Sequence, residues 1–266
     1  MNNNKAIGIF DSGIGGLTVA KAIREHLPQE SLIYFGDTKH LPYGEKSADA
    51  VKEFSISISN FLKEKQCKMI VIACNTASSL AYEAVKKNCP GVQIVNVIEP
   101  VVNRLSEEHS PSTIGIIGTK GTIRSGIYLK KIKERLNQVE VNSLATPLLA
   151  VMIEEGFIHN SISRAIIENY LKSNSLKNIQ QLILACTHYP LIQDEINDFY
   201  NGKVNIIDSA SEVALYIKSV LLELNLMSTT KTEDCFYVSD FTESFEKSAK
   251  FFFGKDIHLQ QVKLNP

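Results

Sequence analysis

Met69-Ile70-Val71-Ile72-Ala73-Cys74-Asn75-Thr76 is an apolar run that ends abruptly in a thiol, an amide and a hydroxyl, and Gln181-Leu182-Ile183-Leu184-Ala185-Cys186-Thr187-His188 repeats it 112 residues later. Apolar character at every position, rather than at alternate ones, marks a strand covered on both faces, as in a parallel sheet. Outward from these two runs, strand-length apolar segments alternate with amphipathic segments of helix length. That order is the signature of βα units.

The first series has strands at Ala6–Phe10, Leu32–Phe35, Met69–Ala73 and Gln93–Val97. Helices are expected from about Leu17 to His26, Ala48 to Glu64 and Ala77 to Lys87. The series then recurs. Thr113-Ile114-Gly115-Ile116-Ile117-Gly118-Thr119 echoes Ala6-Ile7-Gly8-Ile9-Phe10-Asp11-Ser12 at an offset of 107, and Val204–Ile207 answers Gln93–Val97. Three matches in one order, with near-constant offset and a cysteine at the same place in each copy, indicate an internal duplication.

Beyond the second copy, a helix at Ser209–Leu224, a strand at Cys235–Val238, a helix at Phe241–Phe252 and a strand at Ile257–Gln261 are expected. These roughly 57 residues are short for a third domain of ~100–200 residues, and are expected to return to the first half. The fold class is therefore α/β, with two pseudo-symmetric domains of mainly parallel sheet and a cleft between them. The first domain comprises residues 1–99 plus 209–266 and is discontinuous; the second comprises residues 100–208.

Composition narrows the function. The chain has 266 residues, 44% of them hydrophobic, and a net charge of −1, so a large core is available and no basic face is present. Nucleic acid is not an expected partner. The run Lys130-Lys131-Ile132-Lys133-Glu134-Arg135 reads as the solvated side of a helix. No apolar run approaches the ~18 residues of a membrane span, and Met1-Asn2-Asn3-Asn4-Lys5 lacks the apolar region of a secretory signal. Five cysteines, at 67, 74, 89, 186 and 235, form no CxxC pair. They are expected as reduced thiols in a cytoplasmic protein rather than as a disulfide framework or zinc knuckle.

Parallel α/β sheets hold ligands beyond the carboxyl ends of their strands. Asp11-Ser12, Cys74-Asn75-Thr76, Gly118-Thr119 and Cys186-Thr187-His188 all fall there. The turn Asp11-Ser12-Gly13-Ile14-Gly15-Gly16 opens a helix, a context for anion binding by free N–H groups. It is no phosphate-binding fingerprint, and the glycines read more simply as a tight turn. Cys67, Cys89 and Cys235 read as small buried hydrophobes. Cys74 and Cys186 differ, because each ends a central strand, each precedes polar donors, and they correspond in the repeat.

Two rivals are weaker. Cys74, Cys186 and His188 make no paired four-ligand metal set. A lone cysteine nucleophile with His188 as base leaves the second thiol without a role. His40 reads as a loop histidine, Pro42-Tyr43-Gly44 as a turn, and Glu154 as either a solvated helix carboxylate or a cleft residue.

Together, Asp11-Ser12-Gly13-Ile14-Gly15-Gly16, Leu41-Pro42-Tyr43-Gly44, Ala73-Cys74-Asn75-Thr76 and Ala185-Cys186-Thr187-His188-Tyr189-Pro190 resemble the glutamate racemases of the aspartate/glutamate racemase family. The resemblance runs in order from Ile7 to about Ser209. It implies two flavodoxin-like domains, an isomerase that needs neither pyridoxal phosphate nor metal, and interconversion of L- and D-glutamate for peptidoglycan, hence for cell-wall biogenesis and cell shape. By the same resemblance Cys74 and Cys186 are the acid/base thiols, tuned by Asp11 and His188 respectively. Ser12, Tyr43, Gly44, Asn75, Thr76 and Thr187 would hold substrate, with Asp11 and His188 also in contact and Thr119, Thr122 and Glu154 as additions. The chemistry is coherent. A thiol has pKa ≈ 8.5, inverting an α-carbon needs one group on each face, and one thiolate and one thiol can exchange roles. Aspartate racemase, or another paired-thiol isomerase, is the alternative; a non-catalytic amino-acid-binding protein is the other. The expected partner is the small-molecule substrate; a homodimer is compatible with the sequence, which does not set the oligomeric state.

Overall fold

The computed structural model describes residues 3–107, 112–136, 138–254 and 257–264. Met1 and Asn2 of the N-terminal reading, and the last two residues of the 209–266 segment, lie outside the described residues.

The chain begins β1 (Ile7–Asp11), α1 (Leu17–His26), β2 (Leu32–Gly36), α2 (Ala48–Glu64), β3 (Met69–Ile72), α3 (Asn75–Asn88), β4 (Gln93–Asn96) and α4 (Ile98–Glu107). It continues β5 (Thr113–Gly118), α5 (Lys120–Ser125), α6 (Ile127–Arg135), β6 (Glu140–Ala145), α7 (Pro147–Glu154) and α8 (Ser161–Leu171). Next come β7 (Gln181–Ala185), α9 (Gln193–Phe199), β8 (Asn205–Asp208) and α10 (Ser209–Glu223). β9 (Cys235–Val238), α11 (Glu243–Phe252) and β10 (Leu259–Gln261) close the chain.

The strands form two sheets, ordered β10-β9-β2-β1-β3-β4 and β6-β5-β7-β8, and every neighbouring pair is parallel. The fold is thus α/β with two flavodoxin-like halves, since β2-β1-β3-β4 and β6-β5-β7-β8 share one order. The duplication holds at the level of register. Ile7 pairs with Met69 between β1 and β3, and Ile114 pairs with Gln181 between β5 and β7. These are the same two positions in each copy, so Cys74 and Cys186 leave their sheets at equivalent points.

The apolar runs become buried strands because helices cover both faces of the first sheet. Ile7, Ile9, Met69 and Val71 join a core that also holds side chains of α1, α10 and the second sheet. Phe10, Ile70 and Ile72 point to the other face and pack with side chains of α2 and α3. Each such side chain contributes about 1.5–3 kcal/mol by leaving water. Gly8 and Gly115 occupy corresponding places in β1 and β5. A Cβ on Gly8 would meet Cys67 Sγ at 2.9 Å, and one on Gly115 would meet Ile179 Cδ1 at 2.7 Å. Both glycines let a neighbour lie directly on the strand.

β9 and β10 extend the first sheet from its β2 edge. We propose the matching division into residues 1–99 with 209–266, and residues 100–208. Glu99 lies in the first turn of α4, and Asp208 ends β8 and caps α10, accepting a hydrogen bond from the Ala210 N–H at 2.9 Å.

Four local expectations differ from the structure. α3 starts at Asn75 rather than Ala77, because the Cys74 side chain caps it by accepting from the Ala77 N–H. α11 starts at Glu243, after the Thr242 cap, and the last strand is shortened to Leu259–Gln261. The basic run in α6 is not simply solvated, since Lys131 and Arg135 both pair with Glu99 of α4.

Candidate active site

The carboxyl ends of β1, β3, β5 and β7 converge on one cavity of ≈ 110 Å³ between the two sheets. Its walls include Ser12 from the glycine turn, Tyr43 and Gly44 from the loop after β2, and Cys74, Asn75 and Thr76 at the start of α3. From the second half come Thr119, Glu154, Cys186, Thr187 and His188. Both cysteines therefore face the same space. In each half the cysteine lies at the end of the strand next to the topological switch, β1/β3 in one sheet and β5/β7 in the other, where α/β sheets hold ligands.

Two of the expected residues stand behind this wall. Thr122 forms a cluster with Thr119 and Thr76: the hydroxyl oxygens lie 2.9 Å apart for Thr76–Thr119, 3.1 Å for Thr119–Thr122 and 3.3 Å for Thr76–Thr122. Asp11 is fully buried at the end of β1. Its Oδ2 accepts the Gly13 N–H at 3.0 Å, and the N–H groups of Ser12 and Gly16 also face the carboxylate. Asp11 thus takes up the Gly13 N–H of the glycine turn, while its Oδ1 has no hydrogen-bond partner among the described residues. Burial raises the Asp11 carboxyl above its ordinary value, against the opposing pull of His188 and the turn N–H groups.

The two thiols sit in unlike surroundings. Cys74 Sγ lies 3.6 Å from Ser12 Oγ and accepts the Ala77 N–H at 3.5 Å. Burial pushes the Cys74 thiol up to about 12, and the Asp11 charge adds to it. Cys186 Sγ lies 3.6 Å from His188 Nδ1, while His188 Nε2 lies 2.8 Å from Glu154 Oε1. That second contact pairs charges without the alignment of a hydrogen bond, for Nε2 has no hydrogen-bond partner among the described residues. Burial alone would lower the His188 pKa, but contacts with Cys186 and Glu154 outweigh it and raise it well above the ordinary value. A buried carboxyl group stands near one thiol and an imidazole with a raised pKa beside the other.

His188 is also held mechanically. A Cβ on Gly15 would fall 2.6 Å from His188 Nδ1 and 2.6 Å from Thr187 Oγ1. On another side the buried Phe252 of α11 meets the imidazole edge-on, with centroids 5.6 Å apart. The same closeness recurs at the rims, where a Cβ on Gly44 would lie 2.8 Å from Thr119 Cβ. Gly15 of the turn and Gly44 of the loop, read from sequence as turn formers, are points where the halves touch.

His40 is more than a loop residue. Its Nδ1 is 2.9 Å from Asp37 Oδ1, and its ring stacks on Phe54 at 4.2 Å. Tyr43 donates to Asp37 Oδ2 at 2.6 Å, and Ser239 donates to Oδ1 at 2.7 Å. Asp37 thereby ties the wall bearing Tyr43 to the end of β9. Sequence reading did not single out Asp37, nor the cavity residues Glu45, Lys120, Pro147, Ala150 and Val151. Asp37 follows β2 directly, so the strand-end rule that found Asp11 reaches it too.

Cys67 and Cys89 are buried away from the cavity and Cys235 is half-buried. Among the described residues no group of three His, Cys, Asp or Glu could hold a metal ion, and no helix is long and apolar enough to cross a membrane.

Fold and site together define a class: α/β proteins of two related halves that present one thiol each to a shared cavity. The model of the Asp/Glu/Hydantoin racemase family matches residues 17–216. The chain belongs to this family. It is 40% identical over 263 residues to a glutamate racemase of Geobacter metallireducens, covering 98% of this chain and 97% of the relative. A glutamate racemase of Enterococcus faecalis is 37% identical over 268 residues, covering 99% and 98%. The crystal structure of the Francisella tularensis glutamate racemase in complex with D-glutamate superposes with a TM-score of 0.93 at 37% identity, covering 99% of each chain. An aspartate racemase homologue of Pyrococcus horikoshii shares 20% identity at a TM-score of 0.57, covering 81% of this chain and 98% of that one; the likeness is one of fold alone.

Proposed function

We propose that this chain interconverts L- and D-glutamate by proton transfer at the α-carbon between Cys74 and Cys186. The observation that carries the proposal is that these two thiols, from equivalent strand ends of the duplicated halves, line one cavity. In the direction where Cys186 is the base, its thiolate takes the α-proton and the electron pair of the broken C–H bond stays on carbon. The Cys74 thiol then gives its proton to the opposite face, forming the new C–H bond. The enzyme is left with a Cys186 thiol and a Cys74 thiolate. The reverse reaction starts from that state.

The surroundings fit this division. His188 brings positive charge to accompany a thiolate at Cys186, and the raised Cys74 thiol keeps its proton until a carbanion forms. Neutral donors from Ser12, Asn75, Thr76, Thr119 and Thr187 suit the substrate carboxylates and the charge developing on them. Thr122 and Asp11 act from behind, the one on the threonine cluster and the other on Cys74. D-Glutamate formed in the cytosol would serve peptidoglycan synthesis. Full-length relatives named for glutamate favour it over aspartate as substrate.

The test follows the label. In D₂O the poised thiol carries deuterium before substrate arrives, so first-turnover product should gain an α-deuterium while recovered substrate stays protiated. Circular dichroism follows the racemisation of each glutamate enantiomer, with aspartate as the comparison. Early deuterium in recovered substrate, or turnover of aspartate equal to that of glutamate, overturns the reading.

A further inference from the structure

Asn75 carries one acceptor and two donors on its side chain, and the structure commits only the acceptor. The Tyr128 hydroxyl, on α6 of the second half, donates to Asn75 Oδ1 at 2.7 Å. Both residues are buried, Tyr128 at 3% and Asn75 at 2% exposure. Asn75 Nδ2, buried on a residue that lines the cavity, has no hydrogen-bond partner among the described residues. Leaving a buried donor unmade costs about 1–3 kcal/mol, so its persistence calls for an external acceptor.

The orientation of the amide is not arbitrary. Were it turned round, Nδ2 would donate to the phenolic oxygen and the Tyr128 proton would lose its acceptor. Tyr128 keeps that proton, since burial and the neighbouring Cys186 both raise its pKa. Only Oδ1 toward Tyr128 gives the phenolic proton its acceptor.

We propose that Tyr128 is a positioning residue that locks the Asn75 amide so that the cavity meets an N–H donor, selecting a carboxylate of the substrate. Asn75 was expected to bind substrate; the added claim is that a residue of the opposite half sets which of its atoms does so. The proposal rests on the glutamate reading of the site.

Tyr128→Phe removes the hydroxyl and keeps the ring. It should raise the KM for glutamate about tenfold or more while kcat falls much less. In an Asn75→Ala background the same substitution should change KM less than twofold, because there is no amide left to orient. Unchanged KM in Tyr128→Phe, or an undiminished effect in the Asn75→Ala background, overturns the proposal while leaving wild-type racemisation intact. Inactivity of the wild type toward glutamate would instead remove the functional reading. The orientation is then read directly from the Asn75 side-chain ¹⁵N–¹H resonances: a large shift in Tyr128→Phe supports the lock, and unmoved resonances overturn it.

Discussion

Gly15 and His188 belong to opposite halves of the molecule, yet no Cβ fits between them: one built on Gly15 would lie 2.6 Å from His188 Nδ1. That nitrogen is the one 3.6 Å from Cys186 Sγ. The glycine turn thus sets the imidazole position for the thiol across the cavity. Gly15→Ala should lower kcat about 100-fold, the scale expected when a catalytic group is misplaced by about 1 Å. Circular dichroism turnover measures this, with thermal melting to show that the fold survives; near-parental kcat would count against the contact.

Replacing either cavity thiol should separate function from folding. Cys74→Ala and Cys186→Ala should each lower racemisation by at least the ~10²–10⁴-fold typical of a positioned acid or base. Cys89→Ala and Cys235→Ala should retain it. Cys67→Ala should retain activity with some loss of stability, because its sulfur packs on Gly8. Full racemisation by either cavity variant would remove the two-thiol assignment.

Asp11 gives a pH-dependent stability with a defined sign. Its folded pKa is raised by burial, whereas the unfolded carboxyl titrates near about 3.9. Its contribution to stability is therefore fully present below about pH 3.9 and lost as pH rises through the folded value. Asp11→Asn keeps an oxygen for the Gly13 N–H and carries no charge. At pH 7 it should be more stable than the parent, within the ~0.5–2 kcal/mol common for such gains, and it should turn over more slowly. Urea denaturation at pH 4 and pH 7 reads the difference; a variant less stable at pH 7 contradicts it.

His188 works in the same direction through different causes. Its folded pKa is raised by Cys186 and Glu154 against the effect of burial. The stability it supplies is complete below the unfolded value near about 6.5 and falls as pH rises through the folded value. Glu154→Gln should lower that pKa. The variant should lose stability at pH 6, converge on the parent as pH rises, and shift the matching limb of its pH–rate profile downward. Superimposable profiles would detach Glu154 from His188.

At the far end of the first sheet, Lys68 Nζ lies 2.6 Å from Glu30 Oε2, with both side chains fully buried. Lys68 also donates to the Asn3 and Leu226 carbonyls at 2.7 Å each, and Ser228 donates to Glu30. This network fastens the chain returning after α10 to the N-terminal strands. Lys68→Met should cost about 3–5 kcal/mol, the scale of a broken buried pair. Chemical denaturation checks it, and a cost below about 1 kcal/mol would assign the anchoring elsewhere.

The sequence by itself determined the alternation of strands and helices, the duplication, and the pairing of Cys74 with Cys186. These are local properties: a strand covered on both faces must be apolar throughout, and a strand-end motif travels with its strand. Asp11, Ser12, Asn75, Thr76, Thr187 and His188 were legible for the same reason. The tertiary structure alone decided the relations between halves. Gly15 meets His188, Tyr128 binds Asn75, Phe252 flanks His188, and Asp37 holds Tyr43. The members of the first three pairs lie many tens of residues apart, and no periodicity encodes such contacts. Even Asp37 and Tyr43, six residues apart, meet only because the loop after β2 folds back beneath the cavity wall. The raised Cys74 thiol arises in the same way: burial sets it through desolvation, the Asp11 charge adds to it, and that burial exists only once the sheets and helices are packed.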